Sequence, residues 1–310
     1  MAWRAWLAAT LALLLAGCAA QTQALRSAPP AGLAARVELA ATPFFPQTEY
    51  HCGPAALATV LAGFSPEATP ERLGGEVFLP ARTGTLQIEM IAGARRHGAV
   101  ATRLPGTLEA LLREVHAGHA VVVFQNLGLS WYPLWHYAVL VGYDLGTGEV
   151  VLRSGTTERL VIGMRTFEHT WVRAGSWAFV ALPPGRWPVT ADEKAVVEAA
   201  VGFERAGTPA QAALAYRSAL ERFPDSLSLR MGLGNALHAA GDRATAAQAF
   251  EEAARRHPGS APAWINLAST LAGLGRLEAA RAAAQRAVAA ADGHWAERAR
   301  ALRDQLAARP

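Results

Sequence analysis

Two stretches of this sequence decide the fold: residues 47–57 read QTEYHCGPAAL, and residues 136–144 read HYAVLVGYD. In the first stretch a Gly-Pro pair follows Cys52, and small and branched residues continue through 55–62 with the composition of a buried helix. Because proline is tolerated in the first turn of a helix, this pattern predicts that Cys52 lies at a helix N-terminus. Backbone N–H groups and the helix dipole favour a thiolate there, so we expect a lowered thiol pKa.

The second stretch begins with His136 and continues as an apolar run that ends in Gly-Tyr-Asp, which is typical of a strand entering a turn. A histidine at the first position of a strand can project past the sheet edge toward a helix packed against it. His51 is adjacent to Cys52, but neighbouring side chains diverge, so it is a poor partner for the thiol. Gln47, five residues before Cys52, can direct its amide N–H to the same place.

Together the two stretches resemble the papain-like cysteine peptidases of the bacteriocin-processing, double-glycine type, over about residues 42–184. The resemblance implies an α+β fold with Cys52 as nucleophile, His136 as its base and Gln47 as donor to the oxyanion, and it implies no cofactor. These are the parts that acyl transfer requires. Helices first and a sheet afterwards agree with an α+β order. The predicted helices are 55–62, 86–97 and 108–117, and the predicted strands are 120–126, 136–143, 149–153, 159–164 and 177–182.

The sequence departs from the family at the residue that orients the histidine. In the family the strand after the histidine ends in Asp-Pro, and here the corresponding position is Ser154. A hydroxyl can accept the imidazole N–H but carries no charge to stabilise an imidazolium. Asp144, which would otherwise cap its own turn, and Asn126, at the end of the preceding strand, are the other candidates, so the third residue stays open.

An aromatic segment, WYPLW at residues 131–135, precedes His136. Two interpretations are open. The segment either forms a hydrophobic loop that covers the sheet, or it forms one wall of a cleft in which large rigid rings hold an extended peptide.

Residues 1–17 have the pattern of an export signal and not that of a folded domain. Residues 1–17 contain one early arginine and an apolar run too short to span a bilayer, and the run ends in Leu-Ala-Gly before Cys18. This resembles the bacterial lipoprotein signal, which implies that Cys18 is lipidated and anchors the chain to a membrane. Ala19 is not acidic, and by resemblance to Gram-negative sorting this favours the outer membrane, facing the periplasm. The alternative is an ordinary secretory signal with a coincidental cysteine.

The composition changes after residue 188 to Ala, Arg, Glu and Leu at helical spacing. Residues recur there with a period of 34, and small residues at fixed offsets let the two helices of a hairpin approach closely. This resembles three tetratricopeptide repeats followed by a further helix, which implies a groove for a protein partner or peptide. A spacer without a ligand is the alternative. The matching positions are Pro224 and Pro258; Gly207, Gly241 and Gly275; Ala212, Ala246 and Ala280; Tyr216, Phe250 and Ala284; Ala219, Ala253 and Ala287.

These patterns divide the chain into a signal at 1–17, a tether at 18–41, a papain-like domain at 42–187 and repeats at 188–310. The net charge of +4 on 310 residues is too small to argue for nucleic-acid binding. Two cysteines cannot form a disulfide framework or a four-cysteine zinc site, and the dispersed histidines lack the spacing of metal ligands. Lys194, the only lysine, has no neighbouring glycine, so a lysine-dependent phosphate loop is excluded.

The leading hypothesis is a lipid-anchored cysteine peptidase of the cell envelope that hydrolyses peptide bonds, with repeats that bind a substrate or partner protein. The alternative is a peptidase-like scaffold that has lost catalysis, motivated by the missing aspartate. Acyl transfer to a nucleophile other than water uses the same residues and stays open.

Overall fold

The computed structural model describes residues 19–47 and 51–309, which form two compact units. The first unit contains the chain up to Pro183 together with Pro188–Ala195, and the second contains Pro184–Trp187 and the chain from Val196 onward. Residues 1–17 and Cys18, with the predicted signal and lipid site, lie outside the described residues. Within the described part of the chain, no helix has the length and apolar character needed to cross a membrane.

The first unit is built on one antiparallel sheet, which confirms the predicted α+β class. Strands β2, β7, β3, β4, β5 and β6 are neighbours in that order, and β1 pairs with β4. The strands are β1 Arg36–Glu38, β2 Val100–Arg103, β3 Val121–Asn126, β4 Trp135–Asp144, β5 Glu149–Ser154, β6 Thr157–Gly163 and β7 Ala178–Leu182. The helices are α1 Ala20–Ser27, α2 Cys52–Leu61, α3 Pro70–Val77, α4 Gln87–Arg96, α5 Leu108–His116 and α6 Met164–Val172.

Strand β4 is buried from Tyr137 to Tyr143 because both faces of the sheet are covered. Successive side chains of a strand point to opposite faces. Tyr137 and Val139 therefore join the core formed with α2, α3 and α4, whereas Ala138 and Leu140 join the core formed with α5 and α6. This double burial fixes the register of β4 and, with it, the position of His136 near the strand's beginning.

The segment from 18 to 41, for which the sequence predicts a tether, contains ordered structure. The buried carboxylate of Glu168 on α6 accepts hydrogen bonds from the backbone N–H of Gln21 at 3.1 Å and of Thr22 at 2.8 Å, and from the Thr22 hydroxyl at 2.6 Å. Leu25 is buried in the core of the first unit. Helix α1 is thus attached by an acceptor more than 140 residues away, which no local pattern can show.

The second unit consists of antiparallel helices with the predicted repeat spacing. The alanines at the repeated positions Ala212, Ala246 and Ala280 are buried, as close helix packing requires. A methyl group at Gly232 would lie 2.3 Å from the ring of Tyr216, so glycine lets that ring pack directly on the backbone. The helices are α7 Glu193–Glu204, which belongs to this unit from Val196 onward, α8 Pro209–Arg222, α9 Leu227–Ala239, α10 Arg243–Arg256, α11 Ala261–Gly273, α12 Leu277–Ala290 and α13 Gly293–Ala307.

Candidate active site

Cys52 is the first residue of α2, as its sequence context predicts. Residues 53–59 of this helix are buried, and the side chain of Cys52 packs against the core that contains Tyr137. The backbone N–H groups of Tyr137, Gly53 and Cys52 itself favour the thiolate. Burial has the larger effect and raises the pKa of the thiol. The expectation of a lowered pKa is therefore wrong for this structure, because desolvation outweighs the N–H groups at the helix start.

Thr85 lies against the start of α2 and was not found by sequence reasoning. A methyl group at Gly53 would be 2.7 Å from both Cβ and Oγ1 of Thr85, so only glycine allows this approach. The hydroxyl of Tyr137 donates to the carbonyl of Thr85 at 3.1 Å, which ties the segment to β4. Oγ1 of Thr85 is buried without a hydrogen-bond partner among the described residues. Thr85 belongs to no motif, so its place next to Cys52 could be learned only from the tertiary structure.

His136, the second residue of β4, is hydrogen-bonded to Ser154 at the end of β5. Its Nε2 lies 2.8 Å from Oγ of Ser154. Burial lowers the pKa of His136 to about 4, and no charged group among the described residues offsets the lost solvation. The imidazole is consequently neutral near pH 7. With the raised pKa of Cys52, the two groups form a neutral thiol and imidazole at rest.

The two other candidates for the orienting residue have different partners. Oδ1 of Asp144 accepts from the backbone N–H of Gly146 and Thr147, so this carboxylate caps the turn after β4. Oδ1 of Asn126 accepts from the N–H of Gly128 and Leu134 at 3.0 Å each, so this side chain stabilises the β3–β4 loop. Of the three alternatives, the structure places Ser154 on the histidine.

Gln47 is attached to the same end of the sheet. Its backbone N–H donates to the carbonyl of Gly155 at 3.0 Å, and Gly155 follows Ser154 in the chain. Its side-chain Oε1 is buried and has no hydrogen-bond partner among the described residues. Residues 48–50, between Gln47 and His51, lie outside that part of the chain.

Several other histidines have structural partners. The ring of His51 stacks on Phe78 at a centroid distance of 5.2 Å. Nε2 of His97 is 3.0 Å from the carboxylate of Glu76, and Nδ1 of His119 is 2.7 Å from that of Glu114. Within residues 19–47 and 51–309, no group of three or more His, Cys, Asp or Glu side chains could hold a metal ion. A thiol at a helix start and an imidazole with a hydroxyl partner are groups that suit attack on a carbonyl carbon.

Both parts of the chain match known protein families. Residues 39–179 match the Peptidase_C39 like family. Residues 197–261 and 237–306 match two models of the tetratricopeptide repeat. The resemblance to a C39-like peptidase followed by tetratricopeptide repeats is therefore confirmed. No curated protein matches the sequence.

Solved structures of both kinds are similar to the chain. A C39-like peptidase of Bacillus anthracis is 19% identical, with 47% of this chain and 97% of that one covered and a TM-score of 0.41. A double glycine motif protease from an AMS/PCAT transporter, solved with the leader peptide, is 19% identical, with coverage of 46% and 93% and a TM-score of 0.36. The Yersinia enterocolitica type III secretion chaperone SycD, solved with a peptide of the translocator YopD, is 14% identical, with coverage of 37% and 91% and a TM-score of 0.35.

Proposed function

We propose that this chain, a C39-like domain followed by tetratricopeptide repeats, is a cysteine peptidase that hydrolyses peptide bonds through Cys52 and His136. The observation that carries the proposal is the 2.8 Å hydrogen bond between Nε2 of His136 and Oγ of Ser154. When Nε2 carries the proton and donates to this hydroxyl, Nδ1 keeps its lone pair and can act as a base. The hydroxyl thereby fixes the tautomer, as the carboxylate does in Ser-His-Asp enzymes.

The reaction begins from the neutral pair. Sγ of Cys52 attacks the carbonyl carbon of the peptide bond while its proton passes to Nδ1 of His136. The side-chain amide of Gln47 donates to the oxyanion of the tetrahedral intermediate. His136 then gives the proton to the leaving amine, and a thioester remains on Cys52. A water molecule, deprotonated by His136, attacks the thioester, and the carboxylic acid product and the thiol are released.

Neutrality at rest has a kinetic consequence. Burial disfavours both the thiolate and the imidazolium, so the ion pair forms only as substrate arrives. We therefore expect alkylation of Cys52 by iodoacetamide to increase with pH in the alkaline range, without a plateau at acid pH. After removal of the signal and substitution of Cys18 by serine, Cys52 is the only thiol, so the measurement is unambiguous.

The decisive experiment is hydrolysis of a mixed peptide library by the purified mature chain. We expect cleavage that Cys52→Ala and His136→Ala each abolish, whereas His257→Ala, in the repeats, leaves it unchanged. Cleavage that survives Cys52→Ala would reject the peptidase.

A second candidate function is a peptide-binding scaffold without catalysis. The absence of a carboxylate next to His136 favours it, because nothing in the described residues stabilises the imidazolium. Binding of library peptides with the same affinity by the wild-type chain and by Cys52→Ala, with no products, would identify the scaffold.

We also propose a protein partner for the repeats and a lipid anchor at Cys18, in the outer membrane facing the periplasm. Asn235 on α9 and Asn266 on α11 support the first of these, since Asn235 is exposed, Asn266 is half-buried, and Nδ2 of Asn266 donates to Oδ1 of Asn235 at 3.2 Å. The Leu-Ala-Gly-Cys sequence supports the second. Incorporation of labelled palmitate that is lost in Cys18→Ser, followed by membrane fractionation, tests the anchor.

A further inference from the structure

The loop between β3 and β4 carries the most exposed large hydrophobic side chains among the described residues. Trp131 is 81% exposed and Tyr132 is 80% exposed. The interpretation that this segment covers the sheet is therefore wrong for these two rings. Nor do they line a concave cleft, because the walls of a cleft would cover more of each ring. The exposed apolar loop consists of Leu127, Leu129, Trp131, Tyr132, Leu134 and Trp135.

Hydrogen bonds hold this loop in a defined conformation. Asn126 accepts from two backbone N–H groups of the loop and donates through Nδ2 to the carbonyl of Leu129. The backbone N–H of Leu127 donates to the carbonyl of Leu134, and Leu129 and Tyr132 exchange a pair of backbone hydrogen bonds. The rings are thus presented to solvent by a built structure. Such an arrangement suggests that another surface covers them.

The same loop is attached to the helix that holds the N-terminal end of the described chain. Nη1 of Arg173, just after α6, donates to the carbonyl of Gly128 at 2.7 Å. Oγ1 of Thr170 accepts from Nε2 of Gln125, on the strand that enters the loop, also at 2.7 Å. Thr170 and Arg173 line one surface depression together with Ala19. Ala19 directly follows the proposed lipid site in the sequence, so α6 links the start of the described chain to the exposed apolar loop.

We propose that the exposed apolar loop inserts into the interfacial region of a lipid bilayer, next to the acyl chains on Cys18. This proposal rests on the lipid anchor of the proposed function. Tryptophan and tyrosine are the side chains enriched where a membrane meets water. The hydrogen bonds from the N–H groups of Gln21 and Thr22 to Glu168 fix the start of the described chain on α6, the helix that also contacts the loop.

The insertion orients the candidate active site. Trp135 closes the loop, its ring stacks on Phe124 at 5.2 Å, and the next residue is His136. In the inserted molecule His136 consequently lies close to the lipid surface. We therefore expect substrates whose cleaved bond lies close to the membrane.

The test uses the mature chain with Cys18→Ser, in which no acyl chain contributes. Sedimentation with vesicles of phosphatidylethanolamine and phosphatidylglycerol should bring down this chain, and the double variant Trp131→Ser/Tyr132→Ser should bind at least ten-fold more weakly. Ile88→Ser, at another exposed apolar position (71%), is the matched control and should bind like the parent. Brominated lipids should quench tryptophan fluorescence, and Trp131→Phe should reduce that quenching while binding persists.

Absence of vesicle binding by the parent chain overturns the proposal, as does equal loss of binding in Ile88→Ser. Unchanged vesicle binding in the double variant, together with a raised KM for peptides, would instead identify the loop as part of a peptide site. Failure of the lipid anchor is a separate result, since it appears as absent palmitate labelling and leaves the vesicle measurement intact.

Discussion

The Ser154 hydroxyl occupies the position where the double-glycine peptidases, which this domain resembles, have an aspartate. A single substitution can therefore supply the missing negative charge. In Ser154→Asp a carboxylate next to Nε2 of His136 would favour the imidazolium and raise the histidine pKa from about 4. A protonated imidazole favours the Cys52 thiolate in turn. We expect alkylation of Cys52 in Ser154→Asp to extend to lower pH than in the wild-type chain. Ser154→Asn, which adds similar volume without charge, is the control and should keep the wild-type profile.

His136 also makes folding stability depend on pH. The unfolded histidine binds a proton near pH 6.5, whereas the folded one does so only near pH 4. Between these values the unfolded state holds more protons, so the stability present above pH 6.5 is lost as the pH falls toward 4, by up to about 3 kcal/mol. Urea unfolding at pH 7 and pH 4.5 should show this loss in the wild-type chain. His136→Gln, which cannot titrate, should lose less; an equal loss in both would contradict the assignment.

At the scale of elements, Glu168 contributes to the attachment of α1 to the first unit. Its carboxylate is buried and accepts three hydrogen bonds from Gln21 and Thr22. Glu168→Ala leaves those donors without their acceptor. We expect this to lower the free energy of unfolding by about 2–3 kcal/mol. We expect faster amide hydrogen exchange in residues 20–27 than in the wild-type chain. Glu158→Ala, at an exposed position on β6, should leave this exchange unchanged.

The elements that could be predicted from the sequence are those with a long apolar run or with glycine and proline at a boundary. The Gly-Pro pair after Cys52 located the start of α2, and the apolar run after His136 located β4 to within one residue at each end. Helix α3 was missed because two adjacent glycines, Gly74 and Gly75, argue against a helix interior. Strand β2 has only four residues, too few for a period.

The candidate site shows the same division. Cys52, His136 and Ser154 could be named from motif and spacing, and the structure brings His136 and Ser154 within hydrogen-bond distance. The position of Thr85 next to Cys52 and the direction of the shift in the thiol pKa could not be predicted. Both depend on the residues that pack around α2 after folding. Motifs locate reactive groups, whereas burial, which sets their ionisation, is a property of the tertiary structure.

At the scale of the whole molecule, two compact units predict separable effects of mutation. In Gly232→Ala the added methyl group would lie 2.3 Å from the Tyr216 ring, so α8 and α9 must separate. Overpacking of this kind costs about 1–3 kcal/mol. We expect a lower thermal transition for the repeats, with unchanged hydrolysis of short peptides by the C39-like domain.

Gly273→Ala, at a helical glycine whose methyl group would meet no atom within 4 Å, is the matched control and should not lower the transition. If the repeats bring substrate to the peptidase, Gly232→Ala should slow cleavage of a folded protein substrate at temperatures where the repeats have melted. Cleavage of a short peptide at the same temperature should continue at the wild-type rate. Parallel loss of both activities would show that the C39-like domain needs intact repeats to fold, and recruitment would then not be their only role.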